Sequence, residues 1–102
     1  MKKRPYQIEY SPHSKGHLAA LDARQRATIL DKVDMQLAHE PTVVSRNRKP
    51  LQPNPLARFE LRVGDLRVYD EVDEKKRVVE IRAVGIKDRS RVFIGEEEVD
   101  LS

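Results

Sequence analysis

Hydrophobic residues follow a helical period in the first part of the chain and an alternating period from about residue 58. Before the helical part, residues 5–10, PYQIEY, alternate and predict a first strand. Ser11 and Pro12 then combine an N-cap residue with a proline at the first helical position. The pattern therefore predicts a short helix that ends at about residue 21.

A second amphipathic helix is predicted to run as far as Glu40. Asp22 is a suitable N-cap, and Gln25, three residues later, completes a capping-box pattern. Pro41 disfavours helical geometry in the residue before it, so the helix should end there. The apolar residues that follow the cap at helical spacing are Ala27, Ile29, Leu30, Val33 and Leu37. Two antiparallel helices joined by a short turn are the simplest arrangement.

Residues 41–57 contain four prolines and predict a rigid, extended loop that carries Arg46, Arg48 and Lys49. Such a length without secondary structure is unusual in a compact domain and is often functional.

From residue 58 the alternating pattern predicts a three-stranded antiparallel meander with turns at Gly64-Asp65 and Asp73–Lys76. One face of this meander is apolar, with Ala83 among its core residues, and Asp70 interrupts that apolar pattern without an evident reason. The apolar set is Phe59, Leu61, Val63, Leu66, Val68, Val72, Val79, Ile81 and Ala83.

The predicted fold class is α+β with the order β-α-α-β-β-β. Two N-terminal antiparallel helices pack on one face of a small, twisted, mainly antiparallel sheet, in a single domain of residues 1–102. The opposite sheet face should then be open to solvent. It would carry Arg58, Glu60, Arg62, Arg67, Tyr69, Glu80 and Arg82.

A two-residue turn at Gly64-Asp65 fixes the strand register by counting. Position 62 then pairs with 67, and 60 with 69, while Arg58 opposite Glu71 forms a cross-strand ion pair. Arg62 opposite Arg67 places like charges together, which destabilises a sheet pair. Two interpretations remain open: the arginines splay apart and are screened by Glu60 or Asp65, or they bind an anion.

Charge makes the anion hypothesis stronger without settling it. The net charge is +3, but four acids lie in the last seven residues, so the body of the chain is more basic than the total suggests. A basic body with an acidic tail, residues 94–102, indicates a polyanion or an acidic partner, or merely a solvated surface. The tail itself either folds over the basic face or is solvated. Further cations come from GIKDRSR, which supplies Lys87, Arg89 and Arg91.

Several classes of function are disfavoured. The chain has no cysteine, only five aromatic residues, and no apolar run of signal-peptide or membrane-spanning length. We therefore expect a cytoplasmic protein with no membrane partner. His13 and His17 are four residues apart but lack a nearby carboxylate or cysteine, so no metal and no cofactor are expected.

The segment LARFELRVGDLRVYDEVDEKKRVVEIRAVGIKDRSRVF resembles the second half of RelE/ParE-type toxins from bacterial type II toxin–antitoxin pairs. The shared features are a basic strand, a turn, an R-V-x-Y-like strand, a valine-rich strand and V-G-x-K/R before an aromatic residue. The resemblance covers nearly the whole chain and is strongest from Lys49 to Phe93.

The resemblance implies a toxin that is masked by an acidic antitoxin encoded beside it. RelE-like members are implied to cleave messenger RNA on the ribosome without a metal and so inhibit translation: the RNA 2′-hydroxyl attacks the adjacent phosphate. ParE-like members are implied to inhibit DNA gyrase. A catalytically attenuated relative that acts as a binding protein is the third possibility.

The resemblance also suggests roles for particular residues. Arg67 matches the arginine that holds the scissile phosphate, Arg58 a basic strand residue, and Lys87 the cation after V-G. Glu60 stands where RelE has a second basic residue and is the candidate general base, while Phe93 stands where RelE has tyrosine. The predicted nucleic-acid-binding residues are Arg46, Arg48, Lys49, Arg62, Arg82, Arg89, Arg91 and Phe93.

Overall fold

The computed structural model describes residues 4–95 and 97–99, and it has two helices on one face of a seven-stranded sheet. The predicted α+β class is confirmed. Part of the predicted acidic tail, Glu96 and residues 100–102, lies outside the described residues. The elements are β1 Gln7–Tyr10, α1 Pro12–Ala20, α2 Ala23–Lys32 with a π-helical extension Val33–Leu37, β2 Arg48–Pro50, β3 Phe59–Val63, β4 Leu66–Asp73, β5 Val78–Asp88, β6 Arg91–Ile94 and β7 Glu97–Val99.

Both helices begin where their caps predicted. The Ser11 side chain accepts a hydrogen bond from the Ser14 N–H at 3.1 Å, and Asp22 and Gln25 form the reciprocal capping box. The predicted end at Glu40 is wrong, because the regular helical segment stops at Leu37. The next carbonyl, that of Ala38, accepts a hydrogen bond from Tyr6 just before β1.

The sheet contains more strands than the alternation predicted. Its strand order is β2-β3-β4-β5-β6-β7, and β1 pairs in parallel with β5. Strand β2 lies inside the proline-rich segment that was predicted to be a loop, and β6 and β7 extend the chain beyond the predicted meander. These additional strands have only three or four residues each, too few for an alternating pattern to be visible in the sequence.

The predicted register of the β3–β4 hairpin is confirmed, because Arg62 pairs with Arg67 and Glu60 with Tyr69. The turn between the strands has a positive φ of 61° at Gly64, while Asp65 does not have a positive φ. A positive φ at the first central position alone is typical of a type II′ turn, where glycine is strongly preferred.

A β-bulge in β5 changes which residues face the helices. Tyr69 pairs with Ala83 but Asp70 pairs with Ile81, so Arg82 is an extra residue in β5. The bulge inverts the alternation beyond it. Ala83 therefore faces away from the helices, contrary to the prediction, and Val84 takes its place in the main core.

The main core lies between the two helices and one sheet face. The helical stripe is centred on Ile29, Val33 and Leu37, each with no exposed surface, whereas Leu30 remains 36% exposed. The sheet contributes a set of buried aliphatic side chains that pack against this stripe: Leu61, Val63, Leu66, Val68, Val72, Val79, Ile81 and Val84. Burying these apolar side chains is the dominant favourable contribution to folding.

The opposite sheet face is not open, which corrects the prediction. Its middle is covered by a second, smaller apolar cluster in which Leu51, Leu56 and residues of β6 pack on the sheet. The cluster consists of Leu51, Leu56, Ala57, Tyr69, Ala83, Val92 and Ile94. The approach of β6 requires a glycine at position 85, because a Cβ there would lie 2.7 Å from the carbonyl oxygen of Phe93.

A buried ion pair explains the aspartate that interrupted the apolar pattern. Arg48 and Asp70 have no exposed side-chain surface, and their Nη1–Oδ1 and Nη2–Oδ2 distances are both 2.6 Å. The Arg48 Nε also donates to the Pro41 carbonyl at 2.9 Å, and the guanidinium lies 4.6 Å from the centre of the Phe59 ring. This is a bidentate, charge-assisted pair of the strong kind.

Candidate nucleic-acid interface

A cleft of about 550 Å³ lies on the sheet face opposite the helices. Lys49, Arg62 and Arg91 are its cationic residues, and Glu60 and Glu98 are its acidic ones. We call it the sheet cleft, and its lining residues are Lys49, Pro50, Leu51, Glu60, Arg62, Tyr69, Ser90, Arg91, Val92, Glu98 and Val99. The hairpin register brings Glu60 opposite Tyr69, so residues distant in sequence meet here.

Glu60 and Arg62 form the polar pair at the centre of the sheet cleft. They are two residues apart in β3 and so point to the same face, with Arg62 Nε 2.9 Å from Glu60 Oε1. The Glu60 residue is only 8% exposed, whereas the Arg62 side chain is 39% exposed. A shielded carboxylate thus lies beside a guanidinium that solvent, and an anion, can reach.

Tyr69 supplies a hydroxyl group at the same place. It is 1% exposed, and burial raises its pKa, with the negative charge of Glu60 acting in the same direction. The charges of Arg67 and Arg62 oppose this rise but do not cancel it. The hydroxyl therefore stays protonated at neutral pH. Tyr69 was absent from the predicted site residues, although its register opposite Glu60 would have indicated its position.

Arg67 lies near Tyr69 but does not line the sheet cleft. The residue is 5% exposed, and its Nη1 donates to the carbonyls of Gly64 at 2.8 Å and Leu66 at 2.9 Å. This arrangement resolves the like-charge pair: Arg62 turns to Glu60 while Arg67 turns to the backbone of the hairpin. The two guanidinium groups splay apart and each has its own acceptor.

Arg48, one of the predicted nucleic-acid-binding residues, is fully buried in the structure. Its guanidinium is enclosed with Asp70 and cannot reach a ligand without breaking that pair. The burial of Arg48 could not be predicted from the sequence, because the prolines around it indicated an extended loop. Its neighbour Lys49 points to the other side of β2 and is exposed.

The remaining predicted residues divide into two groups. Arg46, Lys87 and Arg89 are exposed but do not line the sheet cleft, and Phe93 in β6 is half-buried outside it. The Lys87 N–H donates to the Asp65 carbonyl at 2.7 Å, which places Lys87 beside the β3–β4 turn. Two other predicted arginines form ion pairs outside the sheet cleft: Arg58 with Glu71 at 3.9 Å and Arg82 with Glu80 at 3.4 Å.

The acidic C-terminal strand contacts the basic residues of the sheet cleft. Glu98 and Val99 of β7 line it, and Glu98 Oε1 lies 3.7 Å from Arg91 Nε. Of the two possibilities for the tail, the described part therefore folds back and is not merely solvated. A carboxylate in this position lowers the positive electrostatic potential that would attract a phosphate.

Within residues 4–95 and 97–99, no three histidine, aspartate or glutamate side chains are grouped so that they could hold a metal ion. Over the same ranges, no helix is both long enough and apolar enough to cross a bilayer.

Comparison with known proteins identifies the fold. No protein-family model matches the chain, and no curated protein matches it either. A solved structure does: a chain in the crystal structure of the toxin–antitoxin complex RelBE2 from Mycobacterium tuberculosis is similar to this one. The two are 26% identical, the match covers 84% of this chain and 95% of that chain, and the TM-score is 0.73.

The architecture defines a small α+β protein with two helices on one sheet face and a partly basic cleft on the other. Together with the similarity in sequence and structure, it shows that the chain resembles a RelE-like toxin of a toxin–antitoxin system.

Proposed function

We propose that this protein is the toxin of a type II toxin–antitoxin pair and that it cleaves messenger RNA on the ribosome without a metal. The toxin role is supported by the similarity to a chain of a toxin–antitoxin complex. The cleavage activity is carried by one observation: the shielded Glu60 carboxylate lies beside Arg62 and Tyr69 in a cleft with further cations.

In this mechanism Glu60 acts as the general base. It takes the proton of the RNA 2′-hydroxyl, whose oxygen forms a bond to the adjacent phosphorus as the bond to the 5′ oxygen breaks. The departing oxygen takes a proton from water, and the hydroxide left behind takes the proton held by Glu60, which restores the base. The products are a cyclic phosphate and a free 5′-hydroxyl. No cofactor enters this balance, because the nucleophile belongs to the RNA itself.

Cations of the sheet cleft stabilise the charge on the phosphate. Arg62, Lys49 and Arg91 are the exposed or half-exposed cations there, so they take the phosphate-binding role predicted for Arg67. Arg67 instead holds the backbone of the β3–β4 hairpin in place. Lys87, Arg89 and Arg46, which are exposed outside the cleft, contact flanking phosphates.

A carboxylate-to-amide change tests the proposal. Glu60→Gln keeps the shape and a hydrogen-bonding oxygen but cannot take a proton, so it should relieve growth arrest and abolish transcript cleavage. The matched control is Glu80→Gln, which changes a carboxylate also paired with an arginine but outside the sheet cleft. Primer extension on translated transcripts gives the result. Growth arrest by the wild-type chain with intact transcripts would contradict a nuclease.

A second candidate is a ParE-like gyrase inhibitor, or an attenuated relative that acts only by binding. It is favoured by the enclosure of Arg67 by backbone carbonyls, because that arginine then touches no substrate. Neither function needs a base. DNA damage with gyrase–DNA adducts on expression would support the inhibitor, and harmless expression without the neighbouring gene would support the attenuated protein.

The proposed partner is an acidic antitoxin encoded beside this protein, and the proposed site of action is the cytoplasm, where ribosomes translate. The net charge of +3 and the exposed cations of the sheet cleft favour an acidic segment. The electrostatic part of that binding should weaken as salt is added.

A further inference from the structure

A second basic surface lies near the end of the sheet where β5 begins. The sequence Lys-Lys-Arg occurs twice, at residues 2–4 and again at 75–77. The structure brings Arg4 together with the second triplet in a cleft of about 620 Å³, which we call the terminal cleft. Its lining residues are Arg4, Pro5, Gln7, Lys75, Lys76 and Arg77, with no carboxylate among them.

The parallel pairing of β1 with β5 assembles this surface. Gln7 pairs with Val78, so the segments that precede the two strands leave the sheet at the same end. Arg77 fixes their relation: its Nε donates to the Arg4 carbonyl at 3.1 Å, and its guanidinium lies 4.3 Å from the centre of the Tyr6 ring. The cleft is therefore held by tertiary contacts between residues more than seventy positions apart.

Arg77 also has a backbone conformation that non-glycine residues rarely adopt. Its φ is 55°, in the left-handed region, at the end of the turn between β4 and β5. The stacking on Tyr6 and the bonds to Arg4 offset the strain of this conformation. As a result, the backbone that presents Lys75 and Lys76 has a defined shape.

The terminal cleft is separate from the sheet cleft. The two share no lining residue. Tyr69 of the sheet cleft lies four residues before the end of β4 at Asp73, which corresponds to about 13 Å along the strand. A very short oligonucleotide in one cleft cannot fill the other, whereas a longer RNA can contact both.

An acidic surface borders the terminal cleft on one side. Lys75 and Lys76 also line a neighbouring cleft that includes the carboxylates of Glu9, Glu71, Asp73, Glu74 and Glu80. These carboxylates disfavour a polyanion on that side, so the phosphate backbone is expected to reach Lys75 and Lys76 from the side of Arg4 and Arg77. A chain of phosphates meets lysine ammonium groups as point charges, which attract the backbone without reading the bases.

We propose that the terminal cleft is a second polyanion-binding surface, which takes the phosphate backbone of an RNA that extends beyond the sheet cleft. It does not depend on cleavage. It adds affinity for long RNA, with a steep dependence on salt, and contributes no sequence preference.

The test compares two double variants that lose the same charge. Lys75→Gln/Lys76→Gln removes the exposed cations of the terminal cleft, and Lys15→Gln/Lys32→Gln removes two exposed lysines of the helices. Binding of a single-stranded RNA of about 20 nucleotides is measured over a range of salt concentrations. The cleft variant should bind roughly tenfold more weakly, with a salt slope lower by about 1.4, while the helix variant keeps both values.

A trinucleotide separates this inference from the proposed function. Lys49→Gln, in the sheet cleft, should weaken binding of both RNAs, whereas the terminal-cleft variant should weaken only the long one. Equal effects of the cleft and helix variants on the long RNA would overturn the inference. So would an effect of the cleft variant on binding to anionic lipid vesicles with none on RNA. Thermal melting of each variant confirms that the fold is retained.

Discussion

At the residue scale, breaking the buried ion pair of Arg48 and Asp70 should cause a large loss of stability. Arg48→Met leaves the Asp70 carboxylate buried without a partner, and the free energy of unfolding should fall by about 3–5 kcal/mol. Urea unfolding measures it. The double variant Arg48→Met/Asp70→Leu removes both charges and should recover much of the loss. A double variant no more stable than the single one would show that the pair is not the cause.

The same pair shows what local sequence patterns can and cannot predict. The alternation in β4 marked Asp70 as an exception, but its partner is 22 residues away in a segment without periodicity. Proline content suggested a loop there, and a three-residue strand with one fully buried arginine gave no recognisable pattern. Glu60 opposite Tyr69 was predictable because the turn that sets their register is only two residues long.

At the element scale, replacing glycine by alanine should have opposite effects on stability at two positions. Gly85→Ala places a Cβ 2.7 Å from the Phe93 backbone oxygen and should destabilise the protein by about 1–3 kcal/mol, because β6 must move. Gly16→Ala in α1 meets nothing within 4 Å and should stabilise it by about 0.5–1 kcal/mol. Chemical denaturation checks both. A change in stability of the same sign in both variants would contradict the account that β6 packs too closely on Gly85 to leave room for a Cβ.

A hydrogen bond between β5 and a histidine of α1 couples stability to pH. The Val84 N–H donates to His17 Nδ1 at 3.2 Å, so this nitrogen must remain unprotonated. Burial, assisted by the charge of His13, lowers the pKa of His17 below its ordinary value. The other charged groups that line its cleft are Glu80, Arg82 and Glu97.

The unfolded chain consequently binds a proton at His17 at higher pH than the native protein does. Stability from this contact is complete above the unfolded pKa of about 6.5 and decreases as pH falls below it. Urea unfolding between about pH 7.5 and about pH 5.5 should show this decrease. His17→Gln should reduce the pH dependence, and His13→Gln should retain most of it. An unchanged slope in His17→Gln would rule out this histidine as the source.

Also at the element scale, the order of elements and the caps could be predicted because their signals lie within a few residues. The capping box, the type II′ turn and the alternation in β3 are all local. The covering of the opposite sheet face could not be predicted, because it depends on the β5 bulge and on the close packing of β6 against Gly85. Neither feature produces a periodic pattern of hydrophobic residues in the sequence, and both depend on contacts between distant segments.

At the scale of the whole molecule, the acidic end of the chain opposes the basic body. Glu98 lies 3.7 Å from Arg91 at the sheet cleft, whereas Glu97, its neighbour in β7, is exposed and lines the cleft of His17. The Glu98 carboxylate reduces the positive field at the sheet cleft. Under the proposed function, it would compete with a phosphate for Arg91.

Neutralising Glu98 should therefore strengthen RNA binding. Glu98→Gln keeps the size of the side chain and should tighten binding of a trinucleotide at low salt, with the difference shrinking as salt screens the charges. The control Glu40→Gln removes one exposed acid from the helical side and changes the net charge equally. Fluorescence anisotropy across a salt series separates the two cases. If both variants tighten binding to the same extent, net charge alone is responsible, and the position of Glu98 at the sheet cleft has no effect on ligand binding.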